Sequence, residues 1–104
     1  MARKVKLWLD DERPAPAGWT ACRWPSEVIA WLQTDPQRVH VVSLDHDLGD
    51  DARGTGYDVL TLIEEMVATQ GFAPPLILIH TANPAARERM RRACEAIQRL
   101  REAR

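Results

Sequence analysis

Three short apolar runs in this chain end in the same way. Val5–Leu9 runs into Asp10-Asp11-Glu12-Arg13, Val39–Leu44 into Asp45-His46-Asp47, and Leu76–Ile79 into His80-Thr81-Ala82-Asn83-Pro84. Short runs rich in β-branched and aliphatic residues, bounded by turn formers, predict buried strands over Lys4–Leu9, Val39–Leu44 and Leu76–Ile79. Thr20–Trp24 reads as a further short strand. Between the later strands the apolar period lengthens to three or four residues. Ser26 is a good N-cap for a helix Glu27–Thr34, whose stripe is Val28, Ile29, Trp31 and Leu32 and which Asp35-Pro36 ends. Tyr57–Thr69 forms a second helix with Val59, Leu62, Ile63, Met66 and Val67 on its core face, stopped by Gly71. Asn83 caps a third, with Pro84 at its first position and Met90, Ala93, Cys94, Ile97 and Leu100 facing the core. Glu12–Trp19 holds Pro14, Pro16 and Gly18, so the first crossover is a loop and not a helix. Gly49–Gly56 is a second loop.

The order is therefore strand, loop, strand, helix, strand, helix, strand, helix. Strands that alternate with helices predict a parallel sheet with right-handed crossovers, in an α/β domain covering 1–104. Such a sheet gathers the C-terminal ends of its strands on one edge, where open α/β folds bind their ligands.

Composition narrows the setting. No apolar run approaches the ~20 residues of a membrane span. The basic N-terminus lacks a signal-peptide core, so a cytoplasmic protein is expected. Cys22 and Cys94 form no metal or redox motif and read as buried free thiols. Net charge is −1, yet its distribution is uneven. Residues 45–65 hold seven acids and one arginine, Arg53, whereas residues 84–104 hold seven arginines and three glutamates. An acidic centre that handles phosphate needs a cation or guanidinium beside it. On composition alone the arginines are a solvated helix face or a nucleic-acid contact.

The chemistry gathers at the shared edge. Asp10, Asp11 and Asp45 brought together repel one another, unless they share protons or hold a divalent cation, and an all-oxygen set suits Mg²⁺ or Mn²⁺. His46 and His80 are an acid and base near neutral pH, alternative ligands for a softer metal, or hydrogen-bonded structural residues. Asp47 stands beside them to orient an imidazole or add a ligand. Arg13 offers a bidentate guanidinium for phosphate or pairs with Asp11 or Asp47. Thr81 adds a hydroxyl, and the helix opened by Asn83-Pro84 offers backbone N–H groups to an anion. Arg87 lies close enough to that helix start to reach the site, and Arg91 stands one turn further on. Gly54-Thr55-Gly56-Tyr57 reads as a strap beside it. His40 starts a strand at the opposite end and reads as structural. Of the four tryptophans, Trp8 and Trp31 are expected to fill the core, and Trp19 to pack there or wall a pocket.

With these residues in place, the chain resembles a receiver domain: an acidic pair after the first strand (Asp10-Asp11), an aspartate after a central strand (Asp45) and a hydroxyl after the next (Thr81). It is closer still to the cyclic-phosphate-processing receiver-like family. The motifs are Leu7-Trp8-Leu9-Asp10-Asp11-Glu12-Arg13-Pro14, Ser43-Leu44-Asp45-His46-Asp47-Leu48-Gly49, Thr55-Gly56-Tyr57-Asp58-Val59 and His80-Thr81-Ala82-Asn83-Pro84, followed by Arg87-Glu88-Arg89-Met90. They cover essentially the whole chain. The resemblance implies a three-layer, receiver-like (flavodoxin-like) parallel sheet of about four strands, truncated so that the fifth strand and its phosphate-binding lysine are absent. It also implies a phosphoesterase that processes cyclic phosphates, on a small phosphate-containing molecule or a cyclic RNA end. In that reading Asp10, Asp11 and Asp45 hold Mg²⁺ or Mn²⁺; His46, His80 and Asp47 are catalytic; and Arg13, Thr81, Asn83 and Arg87 bind substrate. The alternative is a degenerate receiver, a signalling or partner-binding module with Asp45 as phospho-acceptor.

Overall fold

The computed structural model describes residues 3–103. Four strands, β1 (Val5–Leu9), β2 (Thr20–Cys22), β3 (Val39–Leu44) and β4 (Leu76–Ile79), form one sheet in the order β2-β1-β3-β4 with every neighbour parallel. Three helices, α1 (Pro25–Thr34), α2 (Gly56–Gln70) and α3 (Pro84–Glu102), follow β2, β3 and β4. Single 3₁₀ turns lie at Pro36–Arg38 and Asp51–Arg53. The expected α/β class, strand order of connections and four-strand receiver-like sheet are all present. No helix among the described residues is long and apolar enough to cross a membrane.

Period-two alternation along the strands gives the sheet two unlike faces. Leu7 and Leu9, Val42 and Leu44, and Ile77 and Ile79 share one face. They pack with Val28 and Leu32 of α1, Val59, Leu60, Ile63 and Val67 of α2, and Met90 and Ile97 of α3. Most of these side chains are fully buried, so truncating Leu44 or Ile63 to alanine would cost roughly 2–5 kcal/mol. The other face carries Lys6, Trp8, Val41, Ser43, Leu76 and Leu78. In place of a helix it receives the 12–19 loop. Trp19 of that loop meets Trp8 edge-on at 5.9 Å between ring centroids, and the Lys6 ammonium sits 5.1 Å from the Trp19 ring. The third layer is thus a loop that covers the sheet only in part, and Leu76 and Leu78 on the β4 edge stay 59% and 42% exposed. Trp31 packs partly buried against the core, as expected, but Trp8 lies on the opposite, loop-covered face.

Capping follows the sequence at α3, departs from it at α1, and at α2 is made by Thr55, which the sequence reading placed in the strap. The Asn83 side chain accepts from Ala86 N–H, and the Thr55 hydroxyl accepts from Tyr57 N–H while Asp58 accepts from Thr55 N–H. At α1 the helix begins at Pro25, one residue before the expected cap Ser26. The Glu27 carboxylate does the capping there, accepting from the backbone N–H of Arg23 and Trp24. Proline at a first helical position needs no N–H partner, which permits the earlier start.

Candidate functional site

Asp10, Asp45 and His80 each stand one residue beyond their strand. The backbone N–H of Asp45 bonds to Leu9 C=O and that of His80 to Leu44 C=O, so the sheet's ladder extends to this row. Alternation places the three on the loop-covered face, directly above Trp8, Ser43 and Leu78. One ligand atom of each lies within 4.8 Å of the others. Asp11, next in line after Asp10, alternates away and is not part of that cluster, although it lines the same cleft. The expected carboxylate set is therefore gathered as Asp10 and Asp45 with His80, and Asp11 stands to one side.

Asp10 is the hub. Its Oδ1 accepts from the backbone N–H of Glu12 and of Arg13, both at 2.9 Å. Its Oδ2 pairs with Arg13 Nε at 2.8 Å and accepts from His80 Nε2 at 3.1 Å. Burial pushes this carboxyl up, but the two backbone donors and the Arg13 charge outweigh it and leave it below the usual aspartate range. Arg13 reaches on to Asp45 Oδ2, 3.3 Å from Nη2, and the remaining Asp45 oxygen accepts from His46 N–H. Burial opposes the guanidinium charge, yet the two carboxylates hold its pKa above the ordinary value. Arg13 pairs with Asp10 and Asp45, not with the Asp11 or Asp47 expected from sequence, because the turn hydrogen-bonded to Asp10 folds it back over the strand ends.

The two histidines are both brought to this edge, each behind an aspartate. His46 Nδ1 donates to Asp47 Oδ1 at 2.8 Å. That bond lowers the Asp47 carboxyl against the effect of burial, with help from Asn83 Nδ2 at 3.3 Å. With Nδ1 carrying the proton, the lone pair is on Nε2, which has no hydrogen-bond partner among the described residues. His80 is more constrained. The Ser43 hydroxyl donates to its Nδ1 at 2.7 Å, its Nε2–H meets Asp10, and Trp8 stacks flat on the ring at 4.0 Å and 5°. Burial keeps this imidazole below its usual pKa, against the pull of Asp10. His80 is thereby held neutral, in one tautomer and one orientation.

A cleft of about 480 Å³ opens over this row. Its walls are Asp10, Asp11, Glu12, Arg13, Asp45, Asp47, Gly49, Thr81, Ala82 and Asn83. A larger hollow of about 690 Å³ lies at the opposite end of the strands, beside Lys4, His40, Gln70 and Phe72, and lacks any acid–imidazole pair. Thr81 is buried, and its hydroxyl oxygen accepts from Asn83 N–H, leaving its O–H free to donate. The anion site expected at the start of α3 is much reduced: Pro84 has no N–H, and Asn83 takes Ala86 N–H on its side chain and Arg87 N–H on its carbonyl. Arg87 is absent from the cleft walls because its guanidinium donates to Thr81 C=O, bracing the loop from beneath. Arg91 pairs with Glu88 and Glu95 and stays outside. The 54–57 strap also lies outside the walls, but Gly56 sits against the end of β3: a Cβ there would come 1.9 Å from Asp45 C=O.

Sequence reasoning missed Ser43 and Trp8 as partners of His80. Their signal was the alternation itself, since Trp8, Ser43 and Leu78 each precede a site residue by two positions and so share its face. Two chemical properties emerge. Two of the cleft's carboxylates, Asp10 and Asp47, are each paired with an imidazole, and a guanidinium bridges Asp10 and Asp45.

No curated protein and no solved structure matches the chain. A family model does: that of the cyclic-phosphate processing receiver domain, over residues 5–96. That span contains every strand and every wall of the cleft, and the acid pair, central aspartate and hydroxyl stand at receiver positions, so the chain belongs to the cyclic-phosphate processing receiver domain family.

Proposed function

We propose that this chain is a phosphoesterase that opens a cyclic phosphodiester, such as a 2′,3′-cyclic nucleotide or a cyclic RNA end, by attack of water. The observation that carries the reading is the His46–Asp47 pair: Asp47 lines a cleft that also presents a guanidinium and a hydroxyl, and His46 stands behind it, outside the cleft walls. Asp47 fixes the imidazole through Nδ1–H and leaves the basic nitrogen Nε2 uncommitted. That is the orientation a general base requires. Water gives its proton to Nε2 as its oxygen bonds to phosphorus. The bond from phosphorus to one ribose oxygen breaks, and that oxygen takes a proton from water in the open cleft. Arg13 Nη1 and the Thr81 hydroxyl suit the phosphate oxygens. His80 serves better as a positioning residue than as an acid, because both its nitrogens are engaged and burial disfavours its charged form.

Five carboxylates and one guanidinium line the cleft, so an incoming phosphate needs added positive charge. The donor set fits a divalent cation: Asp10 and Asp45 would hold Mg²⁺ or Mn²⁺ with His80 beside them, and the bound ion would supply that neutralising charge. The test offers 2′,3′-cyclic nucleotides and cyclic-ended RNA to the purified protein, with and without Mg²⁺ or Mn²⁺, and separates products by chromatography. Conversion to monoester that His46→Ala removes is the expected result. No conversion of either substrate, or conversion indifferent to His46→Ala, would overturn the proposal.

A further inference from the structure

Two carboxylates with oxygens this close do not coexist as free anions in a buried row. Asp10 and Asp45 are 8% and 7% exposed, and no lysine reaches them. The charge between them is supplied by Arg13, whose Nε and Nη2 each take one carboxylate oxygen. Those are the same two oxygens, Asp10 Oδ2 and Asp45 Oδ2, that a cation would need. The other oxygen of each aspartate is already bound to backbone N–H groups. The Arg13 side chain itself is half exposed, so it can leave the notch without unfolding the core.

We infer that Arg13 is a resident counter-ion which occupies the divalent-cation notch between Asp10 and Asp45, and that Arg13 and a metal ion are alternative occupants of it. Without metal the guanidinium keeps the acid pair together and the strand ends in register. When a cation enters, Arg13 is released from both carboxylates, and all five of its donors face the cleft and any phosphate in it. The inference shares its metal with the proposed function but needs no substrate. A failure of turnover and a failure of the exchange are therefore separate results.

The experiment titrates Mn²⁺ and Mg²⁺ into the intact wild-type chain and into Arg13→Gln by calorimetry, in the absence of any phosphate, and follows thermal unfolding of both in chelator and in Mn²⁺. Removing a competitor for the same two oxygens should tighten metal binding by about tenfold or more, the coupling expected between mutually exclusive occupants. Arg13→Gln should melt below wild type in chelator and gain more stability from Mn²⁺ than wild type does, because the metal displaces no resident counter-ion in the variant. A variant that binds metal no more tightly than wild type overturns the inference, as does a wild-type chain that gains as much stability from Mn²⁺ as the variant. Arg13→Lys keeps a charge but cannot bridge two carboxylates, so its metal affinity should fall between the two; an affinity equal to wild type would show that charge alone, and not occupation of the notch, is responsible.

Discussion

Gly56→Ala separates this structure from an ordinary reading of its sequence. Gly56 opens α2, its φ is not in the left-handed region, and alanine in a helix is normally worth up to about 1 kcal/mol over glycine. Propensity thus predicts a stabilised protein. The structure predicts the reverse, because an added Cβ would stand 1.9 Å from the carbonyl oxygen of Asp45 and 3.1 Å from the Met90 methyl. Real contacts of this kind stay beyond 3.0 Å, so α2 and the end of β3 must separate by about 1 Å. The Met90 methyl can shift, but the Asp45 carbonyl is backbone and cannot swing away. Overpacking of this sort costs about 3 kcal/mol, or roughly 12–20 °C in melting temperature for a domain of this size. Asp45 and His46 would move with the strand, and a displacement of about 1 Å at reacting groups can lower turnover about a hundredfold. Gly18→Ala is the control: its site is open space at φ +86°, so only backbone strain of roughly 1 kcal/mol applies. Thermal unfolding followed by circular dichroism, with turnover on the soluble fraction, measures both. A Gly56→Ala protein as stable as wild type, or less affected than Gly18→Ala, would refute the reasoning.

Three further outcomes follow from the same geometry. Asp10 and His80 both bind protons less readily in the folded chain than unfolded, so the unfolded chain takes up protons first and stability is lost as pH falls, from about 6.5 for His80 and again through about 4 for Asp10; melting curves across that range should show the decline, and His80→Gln should remove its upper portion. Ser43→Ala leaves His80 Nδ1 buried without its donor and should cost about 1–2 kcal/mol in denaturant titration, while an unchanged midpoint would show that the Ser43–His80 bond contributes nothing. Leu78→Lys places a charge on the exposed β4 edge and should reduce association in light scattering with a stability change within about 0.5 kcal/mol, and a large loss of stability would mean that this edge is covered.

Strand positions were legible because β3 and β4 are short, mainly apolar segments with polar stops, and their predicted and observed limits coincide. The convergence of Asp10, Asp45, Asp47, Thr81 and Asn83 on one cleft followed from parallel topology alone. The pairings did not. Whether Arg13 turns toward Asp11 or Asp45 depends on the turn built on Asp10 Oδ1, a three-dimensional contact that no spacing encodes. The fate of the α3 N-terminus was hidden for a related reason. Asn83 was identifiable as a cap, but a cap that satisfies the helix donors also removes them from an anion, and the sequence shows the residue without the balance between these uses. His80 was placed at the right edge, yet its clamping by Trp8 and Ser43 required knowing that the first crossover leaves that face of the sheet without a helix.

The central claim is that the His46–Asp47 pair takes a proton while a cyclic phosphate is opened in the adjoining cleft. The most direct measurement is ³¹P NMR of a 2′,3′-cyclic nucleotide incubated with wild type, His46→Ala and Asp47→Asn under identical metal and buffer. The account predicts that wild type converts the cyclic resonance to a monoester, that His46→Ala does not, and that Asp47→Asn is slowed because its imidazole loses the anion that fixes Nδ1–H. A cyclic resonance that persists with wild type, or that disappears equally fast with His46→Ala, would contradict it.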